Sequence, residues 1–180
     1  MKIIIPFFAI GLFMISSAAK AQIGIDKLNY NWSRIENDLP VVLGGNEVAN
    51  GDANKDGAVL IKGNANIPTV QGVQYLLPGS PGNLKQINLE AKYYQYDLSY
   101  VKFKMQLFDV TDNIVLAETA DFVAKIQGEV ATASLSYVFK PSNKHDQIAV
   151  RFVREDDLNP VRILAIDCLK VNGKFVKIKK

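Results

Sequence analysis

The chain has 180 residues, 48% hydrophobic and 22% charged, with 21 Lys and Arg, 18 Asp and Glu, one His and one Cys. That balance is globular and excludes collagen-like, low-complexity and disordered classes. One His and one Cys leave almost nothing with which to build zinc cages, disulfide frameworks or His-based triads.

Met1 and Lys2 form a short positive start, and Ile3 to Ile15 an apolar run too short to span a bilayer. Ala19-Lys20-Ala21 then offers a small-residue cleavage site. This order predicts a signal peptide over 1–21, cleaved after Ala21, and a single β-sandwich domain over 22–180. The expected destination is secreted or periplasmic in a bacterium. The lone Cys168 leaves no cysteine at the cleavage site to be lipidated, so no membrane insertion is expected after cleavage. Losing Lys2 and Lys20 leaves 19 basic against 18 acidic side chains. Such near-neutrality argues against a nucleic-acid partner.

Ile25 to Leu39 is read as one short helix; it carries Trp32, which with Asn31 and Arg34 forms one candidate ligand platform. Pro40–Leu43, Ala58–Lys62 and Gly72–Leu77 read as strands. Between the first two, Asp52-Ala53-Asn54-Lys55-Asp56-Gly57 has the D-x-N-x-D-G spacing of a calcium loop. Alternate oxygen side chains from Asp52, Asn54 and Asp56 would converge on one hard cation, and Gly57 permits the sharp turn. The twelfth position, which should be a bidentate acid, is Gly63. Two readings stand: a calcium site completed from elsewhere, or a plain Asx-rich turn.

Leu84–Tyr96 is the next strand, and Tyr93, Tyr94, Tyr96 and Tyr100 cluster at its end. Sugars stack their apolar C–H faces on aromatic rings, so an exposed tyrosine row would bind glycan. The competing reading is cross-strand packing, since Tyr is a good strand former. Beyond it, period-2 alternation dominates: Val101, Phe103, Met105 and Leu107 share one face, with Lys102, Lys104 and Gln106 on the other. Ile114–Glu118, Phe122–Ile126, the run around Ala133 to Phe139 and the run around Ile148 to Phe152 follow. Val161–Leu169 is apolar on both faces, as a central strand would be. Within it Asp167 is read either as a buried calcium ligand or as turned toward solvent or Arg162. Lys174–Lys180 reads as an edge strand blunted by lysines. Thr111-Asp112-Asn113 and Asn172-Gly173 are among the turn signals. Many short strands at this spacing predict an all-β, antiparallel sandwich.

The order Asp56-Gly57-Ala58-Val59-Leu60-Ile61, Leu77-Pro78-Gly79, Tyr100 to Asp109, Gln147 to Phe152, and Leu164 to Val171 resembles galactose-binding-like jelly rolls, the fold of many secreted carbohydrate-binding modules. The resemblance covers about two-thirds of the chain; Cys168 stands where the family often has a second acid. It implies a jelly-roll sandwich that binds polysaccharide, and a structural calcium near the chain start held in part by Asp167. The expected function is an exported, non-catalytic, carbohydrate-binding module. The alternatives are a surface or periplasmic subunit that docks a protein partner, and a small glycan hydrolase. Catalysis is disfavoured because no G-x-S-x-G, H-E-x-x-H or P-loop is present and His145 reads as a solvated turn residue.

Overall fold

Alternation of apolar and polar residues along the chain becomes two antiparallel sheets laid face to face. A computed structural model describes residues 31–36, 39–43, 48–50, 57–62, 70–79, 84–95, 101–124, 129–140, 145–154 and 163–178. The strands are β1 (Trp32–Glu36), β2 (Leu39–Val42), β3 (Val48–Asn50), β4 (Gly57–Lys62), β5 (Val70–Leu76), β6 (Gln86–Gln95), β7 (Val101–Asp109), β8 (Ile114–Glu118), β9 (Phe122–Ala124), β10 (Ala131–Val138), β11 (Ile148–Arg154), β12 (Ile163–Val171) and β13 (Lys174–Val176). Sheet A runs β2-β1-β5-β11-β7-β8, with β9 also on β7; sheet B runs β10-β6-β12-β4-β3, with β13 on β12. From β4 to β7, and again from β9 to β12, successive strands change sheet, which winds the chain around a shared core. The fold is thus all-β and sandwich-like, as the alternation predicts, and the described residues contain no helix.

The inner faces meet in one cluster. Tyr93, Leu89, Ile87, Leu164 and Ile166 of sheet B face Trp32, Phe103, Met105, Val150 and Phe152 of sheet A. The ring of Tyr93 meets Phe103 edge-on at 4.8 Å between centroids, and Trp32 stacks on Phe152 at 6.4 Å. Each fully buried large side chain contributes about 1.5–3 kcal/mol, and the chain's one cysteine, Cys168, is itself buried. In the middle of sheet A, β5 approaches β11 so closely that a Cβ on Gly72 would lie 1.9 Å from the Phe152 carbonyl oxygen. Only glycine fits there.

One irregularity sets the outer surface of sheet B. In β12 the apolar phase runs Leu164, Ile166, then Leu169, Val171, a slip of one residue that a regular strand would put on opposite faces. The register against β6 shifts at this point: Ile166 pairs with Tyr93 but Cys168 with Lys92, leaving Asp167 as the extra residue of a bulge. The bulge returns Leu169 to the core and turns Lys170 outward. Beyond it, Asn172 and Gly173 take φ of 51° and 77°, the two positive values a two-residue hairpin turn requires, and β13 folds back with Phe175 opposite Lys170.

Three expectations change here. Trp32–Glu36 is a strand, not part of a helix, because its pairing with both β2 and β5 satisfies the backbone on each side. Val48–Asn50 forms a strand that the Asn-Gly signal hid. Asp167 is 2% exposed, so it does not turn toward solvent.

Candidate functional site

Trp32, Tyr93 and Tyr94 are 4%, 5% and 3% exposed. An aromatic platform needs a ring face in water, so the expectation of an exposed row fails for these three. Tyr93 and Trp32 sit in the main core. Burial alone raises the pKa of the Tyr93 phenol. Tyr94 points to the other side of β6, yet is covered there beside Ala58, Leu60 and Ala165. Tyr96, Asp52, Asn54 and Asp56 lie outside the described residues. Asp167 directly follows Ile166, whose partner in β4 is Val59, two residues from Gly57 where β4 begins.

The exposed chemistry lies on the outer face of sheet B. Period 2 points Asn88 and Glu90 of β6, Ser134 and Ser136 of β10, and Lys170 of β12 to the same side. Register places Ser134 opposite Glu90, Glu90 opposite Lys170, and Lys170 opposite Phe175, a row across four strands. At ordinary strand spacing the row is roughly 14 Å long. Asn88, Glu90, Ser134, Ser136 and Lys170 line an open depression of about 270 Å³. Lys170 Nζ lies 2.6 Å from Glu90 Oε1 and 5.0 Å from the Phe175 ring centroid. Phe175 is 59% exposed, so much of its ring is open to a ligand.

Asn88 anchors the polar end. Its Oδ1 accepts from Ser136 Oγ at 2.9 Å and from Gln86 Nε2 at 3.0 Å. Its backbone N–H donates to Asn172 Oδ1 and its carbonyl accepts from Asn172 N–H, both at 2.8 Å, tying the β12–β13 turn to β6. The Glu90 carboxyl is held below its ordinary pKa by the hydrogen bond from Lys170, then by that ammonium's charge, with Lys92 adding to it against a small opposing effect of burial. Lys170 is raised in return, chiefly by its bond to Glu90. The charged pair is therefore formed across the neutral pH range. The arrangement offers an apolar ring, hydroxyl and amide groups, and fixed charges on one rigid face.

Residues missed from sequence form a second cluster. His145 is 4% exposed rather than solvated, and its Nδ1 is hydrogen-bonded to Oδ2 of Asp109, which is fully buried. Asp109 Oδ1 accepts from the N–H of Thr111 at 2.9 Å and of Asp112 at 3.0 Å. Burial pushes the Asp109 pKa up, but the two backbone donors and His145 outweigh it, and the net shift is downward. Asp109, Asp112 and His145 present ligand atoms within 4.8 Å of one another. Both Asp109 oxygens are already used as acceptors. The observed hydrogen bonds pin the β7–β8 turn to the segment entering β11. The sequence signal was an aspartate ending a strand before a Thr-Asp-Asn turn.

No protein-family model matches the sequence, and comparison with curated proteins finds no match. Solved structures do share its fold. The CBM22-1 xylan-binding domain of Paenibacillus barcinonensis Xyn10C aligns over 83% of this chain and 87% of its own, with 8% identity and a TM-score of 0.50. The fold is the galactose-binding-like jelly roll. A Stig cyclase, Fisc from Fischerella sp. TAU, aligns over 83% of this chain and 86% of its own, with 12% identity and a TM-score of 0.52. At such identities the likeness is one of fold, and this jelly roll carries both a binding domain and an enzyme. Function must then be argued from the site.

Proposed function

We propose that the protein is an exported, non-catalytic glycan-binding module whose site is the outer face of sheet B. The observation that carries this is the four-strand row from Ser134 through Glu90 and Lys170 to the exposed Phe175, with the depression beside it. An oligosaccharide with one ring laid on Phe175 would run across β12 and β6, so that its further units meet Asn88, Ser134 and Ser136 with their hydroxyls. The fold shared with a xylan-binding domain is consistent with this use.

Export rests on the predicted signal peptide. A structural calcium is part of the proposal, held by Asp52, Asn54, Asp56 and Asp167. It is supported by the oxygen donors at alternate positions and by a buried carboxylate on β12 close in register to the start of β4. Affinity electrophoresis through gels containing soluble polysaccharides tests the binding claim. Retardation in at least one gel, lost in Phe175→Ala, is expected; free migration in every gel would overturn it.

A further inference from the structure

The charge on this face points to the kind of sugar. The outer side of β10 presents hydroxyls, Thr132, Ser134 and Ser136, and no charge. The charges come from β6 and β12: Glu90 against two lysines, Lys92 and Lys170. Lys92 stands two residues from Glu90 on the same side of β6 and pairs in register with Cys168, and its charge adds to that of Lys170 in holding the Glu90 carboxyl below its ordinary pKa. The predicted mature chain carries 19 basic and 18 acidic residues, so this local excess does not simply mirror the composition. Lys170 has three N–H donors; Glu90 takes one, and the ammonium borders the depression and lies over the Phe175 ring, 5.0 Å from its centroid.

Two ammonium groups against one carboxylate favour a ligand that itself carries negative charge. We infer that the ligand of this face is an acidic polysaccharide, with a uronate carboxylate received by Lys170 and Lys92 while the ring stacks on Phe175. The inference rests on the glycan-binding reading and adds the ligand class to it. The Glu90 carboxylate opposes an acid seated here, so its charge weakens the preference that the two lysines create.

Calorimetric titration of the full chain with polygalacturonate oligosaccharides and with unsubstituted xylan oligosaccharides tests this. Polygalacturonate should bind more tightly, and its advantage should shrink as salt rises from about 20 mM to about 300 mM, because added salt screens attraction between solvent-exposed charges. Lys92→Met should lower the ratio of the two affinities roughly threefold, and Glu90→Gln should raise it by a similar factor, the value of one solvent-screened charge. Equal affinity for both glycans without salt dependence would overturn the ligand class and leave the glycan reading standing. So would a Glu90→Gln variant that loses polygalacturonate while its melting temperature is unchanged. Binding to neither glycan, nor to any polysaccharide in the gel panel, would overturn both. A dextran sulfate control that binds as tightly as polygalacturonate, and still does in Phe175→Ala, would show bare charge attraction and overturn the seated geometry.

Discussion

Replacing Asp109 by Ala removes three hydrogen bonds at once. Two of the stranded donors, the N–H groups of Thr111 and Asp112, belong to exposed turn residues and can turn to water. The third partner, His145, is 4% exposed and cannot. Leaving a buried hydrogen-bonding group without its partner costs about 1–3 kcal/mol. For a chain of this length that is a fall of roughly 2–12 °C in melting temperature. Asp109→Asn keeps an acceptor for the turn and should lose less. The pH dependence has a definite sign. The folded carboxyl is depressed below the ordinary aspartate value of 3.8. Its stabilising contribution is therefore fully present above that value and is lost as pH falls through the lower folded value. Circular dichroism melts from pH 7 down to pH 2 measure both effects. The wild type should lose stability more steeply than Asp109→Asn below about pH 4. A melting temperature for Asp109→Ala within about 2 °C of wild type would refute the pin, since it would put the cost below about 1 kcal/mol.

Gly72→Ala should cost at least about 3 kcal/mol in urea unfolding, because the new methyl meets the Phe152 backbone rather than a movable side chain; a change under about 1 kcal/mol would mean that β5 and β11 are not this close. Chelation should lower the melting temperature of the protein by roughly 5–10 °C if calcium is held at a hundred times its dissociation constant. Asp56→Asn should abolish that shift and Asp112→Asn should not; an unchanged melting temperature on chelation would remove the structural ion. Mass spectrometry of the exported protein should find a chain beginning at Gln22, and an intact Met1 would contradict cleavage.

Period-2 alternation made the sandwich legible, because a sheet with one face in the core writes that face into every second residue. Ile114–Glu118 matches its strand residue for residue, and the two-sided apolar run ending at Leu169 is the centre of sheet B. Alternation does not say whether the second face is also covered. Tyr94 alternates outward from Tyr93 and is buried all the same, among Ala58, Leu60 and Ala165. Nor does it show a bulge. The one-residue slip at Asp167 can be read from the apolar phases only once β6 is known to lie alongside, and without it Lys170 would face inward. Phe175 was hidden for a similar reason: in the lysine-rich tail it looked like the apolar side of an edge strand, whereas the Asn172-Gly173 turn sets it opposite Lys170 on the wet face. His145 could not be recognised because its partner Asp109 is 36 residues away.

Nuclear magnetic resonance titration with a bound oligosaccharide tests the central claim most directly. Amide shifts should concentrate at Asn88, Glu90, Ser134, Ser136, Lys170 and Phe175, crossing β10, β6, β12 and β13 as one stripe. Shifts confined to the outer side of β5, β11 and β7, or no shifts with any glycan, would contradict it.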